Sequence, residues 1–393
     1  WPLCHDVHVR PRFRQYDFQA YRDVNRRFAA AVCDEVGAES TAMLFVHDYH
    51  FALAPRMLRT QLPLATVVAF WHIPWPGPAT FRVCPWGREL IEGLLGAHIL
   101  GFQTPQDCAN FLACAESLLP CNVDRGRSAI TYRGRSTLVH AYPVGVAWED
   151  CAATAPPIDV CRTAVRRDLG LAAGALLGIG IDRLDYTKGI DEKFRAVERL
   201  LEIRSDLAGR FTFVQVAEPS RDCLPAYQAA RTQLSTTCDR VNTRFASGSY
   251  RPIVLLERHH EPADVERLYR AADVCYVGSL RDGMNLVAKE FVRARDDERG
   301  VLVLSRFAGA SRQLAAALRI DPYDTDDGAH TLGRALAMSG AEQAKRMRHL
   351  RRVVRRFDAR WWGAEILRDA TLLNAQVAVR SASAGWRPCS SPP

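Results

Sequence analysis

Short apolar runs rich in β-branched and aromatic residues alternate along this chain with longer stretches whose apolar positions recur at helical spacing. In the first part, runs at 41–46, 66–71, 97–104 and 139–146 predict strands. Between them, 17–32 carries Tyr21, Val24, Phe28 and Val32 on one side, and helices are predicted there and at 51–59 and 105–113. The stretch 147–157 reads as a linker, after which the alternation restarts. Strands are predicted at 175–181, 211–216, 253–256, 272–277 and 300–305, with helices at 191–203, from Pro262 on, and at 286–294. Strands alternating with helices predict an α/β fold with parallel sheets covered on both faces. Two domains follow, 1–146 and 158–377, the second including the C-terminal helices, with a Ser/Pro-rich mobile tail at 381–393.

In parallel sheets ligands sit beyond the carboxyl ends of the strands, so polar residues there are the candidates for chemistry. The strongest stretch is the turn after 272–277. Its Gly283 and Asn285 lead into a helix whose first amides have no intrahelical partner, a seat for a phosphate or sugar oxygen at Asn285, Leu286 and Val287. Asp282 in that turn can accept from hydroxyls, and Glu290, two helical turns on, can reach the vicinal hydroxyls of a ribose. A second turn, after 175–181, carries Arg183 and Lys188. A planar fork and a point charge five residues apart suit a diphosphate. In the first domain Asp48, His72 and Gln103 fall at three successive strand ends and point to one crevice. Pro74, Pro76 and Pro78 stiffen the loop behind His72.

Composition narrows the classes. The chain of 393 residues is 48% hydrophobic and 24% charged, ordinary for a globular protein, and no apolar run reaches the length of a membrane span. The net charge of +8 suits nucleic acid or phosphorylated small molecules. Its densest run, 345–356, places Met347, Leu350, Val353 and Val354 at helical spacing, so the charge there is the wet face of a helix, and no nucleic-acid motif accompanies it. The 12 cysteines are scattered without C-x-x-C pairs, which predicts reduced thiols in a cytoplasmic protein and no metal cluster. Neither half carries a G-x-G-x-x-G fingerprint, which disfavours nicotinamide and flavin chemistry.

Five motifs in one order carry a resemblance: Val46-His47-Asp48-Tyr49-His50, Trp71-His72-Ile73-Pro74-Trp75-Pro76, Leu100-Gly101-Phe102-Gln103-Thr104, the run from Asp182 to Ile190, and the run from Leu280 to Glu290. Together they resemble the trehalose-6-phosphate synthase family, from Trp1 to about residue 370. The resemblance implies a GT-B fold, two Rossmann-like domains with parallel sheets facing across a cleft. The implied reaction is retaining glucosyl transfer from UDP-glucose to glucose 6-phosphate, giving α,α-trehalose 6-phosphate without metal or cofactor. Position by position, Arg183 and Lys188 match the residues on the donor diphosphate. Asp282 matches the carboxylate on the donor sugar, Gly283 and the 285–287 amides complete the donor seat, and Glu290 matches the ribose ligand. His72 matches the histidine near the transferred sugar, and Asp48 and Arg221 match acceptor-side residues. The implied partners are a nucleotide sugar and a sugar phosphate, neither nucleic acid nor membrane; a homo-oligomer is left open.

The chain departs from the family pattern in places. The family's first strand and its N-terminal loop are expected before Trp1, so the first domain is read as incomplete and the activity of the fragment as in question. Asp6 and Phe18 stand where the family has a tyrosine and a tryptophan against the acceptor, and Gln313 where it commonly has glutamate. An aspartate beside a phosphate would repel it, which keeps two alternatives open: a sibling transferase using glycerol 3-phosphate or a cyclitol phosphate, and a noncatalytic regulatory homologue.

Overall fold

The computed structural model describes residues 1–7, 9–37, 41–148, 155–221 and 223–384, with side chains to residue 373. Most of the expected linker and residues 385–393 of the expected tail lie outside the described residues. The chain packs as two compact units, Trp1–Pro143 joined by the helix from Arg360 on, and Val144–Ala359.

The first unit is built on a six-stranded sheet of order β1-β2-β3-β6-β5-β4. Its strands are β1 (Met43–His47), β2 (Thr66–Phe70), β3 (Ile99–Phe102), β4 (Asn122–Asp124), β5 (Ala129–Tyr132) and β6 (Arg135–Ala141). β1, β2, β3 and β6 run parallel, while β4 and β5 form an antiparallel edge on β6. Strand β6 starts and ends earlier than the predicted 139–146, and the short, polar β4 and β5 carry too little apolar patterning to be predicted. Successive residues of β2 feed two cores: Val67 and Ala69 pack with Trp75, Ile91 and Phe111, whereas Val68 and Phe70 pack with Ile99, Tyr142, Ile366 and Ala370. The helix Ala359–Ala384 thus covers the second face of this sheet. That corrects the expected boundary for this last helix, which was given to the second domain; the helices Thr325–Leu336 and Gly340–Arg356 do belong there. A further correction is that this helix continues through 381–384, where the tail was expected to begin.

The second unit carries β7 (Leu176–Arg183), β8 (Phe211–Glu218), β9 (Ile253–Leu256), β10 (Val274–Val277), β11 (Val301–Ser305) and β12 (Leu318–Ile320). They form an all-parallel sheet of order β12-β11-β10-β7-β8-β9. Counted within the unit, this is the doubly wound order three-two-one-four-five-six, a Rossmann-like arrangement. Both faces are buried, and alternate residues sort into two cores: Cys275, Val277, Leu302 and Leu304 on one side, Val274, Tyr276, Val301 and Val303 on the other. The progression of strands reverses between β7 and β10, and a crevice opens at such a switch point. The two turns singled out from the sequence are the ones that leave these strands. Among the described residues no helix is long and apolar enough to cross a membrane.

Candidate active site

After β7 the chain makes a tight turn, 3-10 from Tyr186 to Lys188, capped by Asp185, whose Oδ1 accepts from the Thr187 amide at 3.0 Å and its hydroxyl at 2.9 Å. The turn closes on Gly189 at φ 60°, where a Cβ would stand 2.2 Å from the Gly278 carbonyl oxygen, so only glycine lets the two turns approach this closely. The Leu280 amide then donates to the Thr187 carbonyl at 2.9 Å. Beneath them Lys193, fully buried, pairs with Asp182, which also accepts from Gln215 Nε2 at 3.1 Å. Side chains join the turns as well, with Lys188 Nζ 2.6 Å from Asp282 Oδ2, both largely buried. Burial works against the Lys188 charge, but Asp282 outweighs it and raises the lysine pKa. Arg183, the last residue of β7, is exposed.

Asp282 Oδ2 also accepts from Ser279 Oγ at 3.2 Å and Asn285 Nδ2 at 3.1 Å, which fixes the carboxylate before any ligand arrives. Asn285 takes φ 78°, which asparagine tolerates better than most residues, and caps the helix Leu286–Ala294 by accepting from the Ala288 amide at 3.1 Å. Leu286 and Val287, ahead of that amide, supply the first N–H groups of the helix. The loop after β11 backs the turn: the Asp282 amide donates to Phe307, and Gly309 donates to the Asp282 carbonyl. One turn along the helix, Glu290 accepts from Tyr269 at 2.9 Å; burial and the neighbouring carboxylate push that phenol well above its ordinary pKa, so it stays a donor. Lys289, 1% exposed, donates to the Val144 carbonyl at 2.6 Å and to Gln313 Oε1 at 2.7 Å, and burial lowers its pKa to about 7. Arg221, at φ 52°, donates to the Tyr227 hydroxyl at 2.7 Å, which donates in turn to Asp185 at 3.1 Å. Arg183, Lys188, Arg221, Asp282, Gly283, Asn285, Leu286, Val287 and Glu290 are therefore all carried by one unit, on strand ends, turns and the helix Leu286–Ala294.

In the first unit Asp48 ends β1 at φ 66° and accepts the His72 amide on Oδ1 at 3.1 Å. Its own amide donates to Phe70 at 2.7 Å, so the ends of β1 and β2 are locked side by side. His72 Nε2 lies 3.0 Å from His47 Nδ1, and Trp362 of the C-terminal helix flanks both rings. Gln103, at the end of β3, is buried. Phe18 is also buried, stacked on Trp86 with ring centroids 4.2 Å apart. Asp6 is exposed and accepts from Thr80 at 3.3 Å.

Residues 1–371 match the family described as glycosyltransferase family 20. The chain belongs to that family. Among curated proteins it is 36% identical over 388 residues to the trehalose-6-phosphate synthase of Mycobacterium leprae, covering 94% of this chain and 77% of that protein. It is also 36% identical over 371 residues to the bifunctional trehalose-6-phosphate synthase/phosphatase of Thermoproteus tenax, where it spans only half the relative's length. Among solved structures, the UDP-forming α,α-trehalose-phosphate synthase of Burkholderia xenovorans in complex with glucose-6-phosphate superposes at a TM-score of 0.88 with 36% identity, over 94% of this chain and 82% of that one. An Escherichia coli structure described as trehalose-6-phosphate bound with UDP-2-fluoro glucose gives 0.88 and 33%, over 94% and 81%. The two mostly parallel sheets are those of the GT-B fold of this glycosyltransferase family.

Sequence reasoning missed four supporting residues of this family 20 chain. Tyr227, six residues after Arg221, and Tyr269, from the helix Pro262–Ala271, hold Arg221 and Glu290, and neither lies in a motif read from the sequence. Trp362 sits in a Trp361-Trp362 pair within a helical run, a local signal in the sequence. His47 lies inside the first of the five motifs, one residue before Asp48.

Proposed function

We propose that this chain transfers glucose from UDP-glucose to glucose 6-phosphate with retention at the anomeric carbon, releasing UDP and α,α-trehalose 6-phosphate. The observation that carries the reading is the stitched pair of turns at the β7/β10 switch point, which brings Lys188 within 2.6 Å of Asp282 beside the helix start at Leu286. The names of the relatives, and the glucose-6-phosphate and UDP-2-fluoro glucose in the solved structures, support the two substrates.

In this reading the pyrophosphate lies between Arg183, Lys188 and the Leu286 and Val287 amides. Lys188 has three N–H donors and spends one on Asp282. As the bond from C1 to the phosphate oxygen breaks, negative charge grows on the leaving UDP, and these fixed cations and dipoles meet it. That supply of positive charge leaves no task for a metal ion. Asp282 accepts from the sugar hydroxyls, Glu290 from the ribose, and His72 contacts the transferred sugar. Asp48 and Arg221 serve the acceptor, Arg221 as partner of its phosphate. The acceptor hydroxyl attacks C1 from the face the phosphate leaves, the new C–O bond forms, and its proton passes to the departing phosphate oxygen. No residue is assigned as nucleophile.

The test is product analysis. UDP-glucose with glucose 6-phosphate is expected to give UDP and α,α-trehalose 6-phosphate in equal amounts, and glycerol 3-phosphate or a cyclitol phosphate to give no product. Product with one of those acceptors alone, or none with any, would overturn the assignment.

A further inference from the structure

The two imidazoles at the ends of β1 and β2 form a pair that the reaction just described leaves unused on one side. His47 Nδ1 and His72 Nε2 are 3.0 Å apart, with the rings inclined by 18° and their centroids 5.3 Å apart. One nitrogen must donate and the other accept, so a single proton occupies the line between them whichever tautomer is present. The rings are held from several directions. Phe45 packs on His47 at 4.2 Å, Phe70 packs on His72 at 4.6 Å, and Trp362 flanks both at 6.4 Å. Asp48 pins the His72 backbone.

We propose that His47 is a positioning residue for His72: it occupies Nε2, turns the ring so that Nδ1 is the nitrogen left to meet a ligand hydroxyl, and makes the two rings take up protons as one unit. The proposal rests on the reading that His72 contacts the transferred sugar. An unpaired imidazole could rotate about its χ2 bond and offer either edge, whereas a paired one presents a single edge. Asp48 is the carboxylate that bears on both rings, and Phe45, Phe70 and Trp362, from β1, β2 and the C-terminal helix, are neutral. Burial lowers the pKa of each ring, and the charge of His47 adds to the effect on His72 while Asp48 opposes it.

Two measurements test this on the full chain. In the ligand-free protein, nitrogen NMR of the imidazoles across pH is expected to show both protonation steps at both rings, and in His47→Asn a single step at His72. Independent steps in the wild type, unmoved by the substitution, would overturn the pairing. In turnover with UDP-glucose and glucose 6-phosphate, His47→Phe is expected to lower kcat about tenfold or more with the KM for UDP-glucose nearly unchanged. His47→Asn, whose amide overlays Nδ1, is expected to recover most of that loss. Equal losses in the two variants would overturn positioning. Because the NMR result does not depend on turnover, a wild-type chain that makes no product would count against the functional reading alone.

Discussion

At the residue scale, Asp282 and Lys188 restrain each other. The carboxylate that is suited to sugar hydroxyls lies 2.6 Å from the cation suited to phosphate, and it repels the phosphate it neighbours. Asp282→Asn should therefore bind UDP at least as tightly as the wild type while turning over UDP-glucose far more slowly. Calorimetry with UDP alongside a turnover assay checks both halves, and a joint loss would make Asp282 a nucleotide-binding residue only. Lys289 behaves differently, because it is buried with neutral acceptors and its pKa falls from 10.5 to about 7. The unfolded chain keeps this proton up to the ordinary lysine range and the folded one releases it near neutrality, so the unfolded state binds more protons in between. This group thus costs stability below pH 7, and that cost is relieved as the pH rises from 7 to 10.5. Lys289→Met should be more stable than the wild type at neutral pH by on the order of a few kcal/mol. The advantage should shrink toward pH 10, as read by denaturant unfolding; an advantage that does not change with pH would contradict the account.

At the scale of the element, the active turns depend on close backbone approach. Gly189→Ala asks an L-residue to hold φ 60° and puts its Cβ 2.2 Å from the Gly278 carbonyl. The left-handed conformation alone costs about 1–2 kcal/mol. The clash adds to it by forcing the turns apart. The variant should melt at lower temperature and bind UDP more weakly, and unchanged UDP affinity would show that the two turns need not touch. The strand-turn-helix units were legible because each is local: an apolar run, a glycine or asparagine, then a helical period. Helix Leu286–Ala294 and strand β9 match their predicted bounds residue for residue. β4, β5 and β12 were not legible because polar residues break each of these short runs, unlike the uninterrupted apolar β9, and they are stabilised by neighbours in the sheet rather than by their own pattern.

At the scale of the whole molecule, local patterns do not show what the chain brings together from far apart; that the two turns serve one donor was legible only through the family resemblance. No local pattern orders β7 beside β10, which meet across nearly a hundred residues, and yet that adjacency puts Lys188 and Asp282 in contact. The C-terminal helix likewise reads as the end of the second domain but supplies Trp362, Ile366 and Ala370 to the sheet that bears His72. Asp48 and His72 could be named from their strand ends, while their partner His47 and neighbour Trp362 needed the fold. The central claim is that Arg183 and Lys188, from one turn, act with the helix start of the other on a single pyrophosphate. The direct test is calorimetric titration of UDP into the wild type, Arg183→Ala, Lys188→Ala and the double variant, each checked for folding by circular dichroism. The account predicts that each single change weakens UDP binding by about tenfold or more, and that the two losses do not add, as for groups sharing one ligand. Wild-type affinity for UDP in all three variants would contradict it.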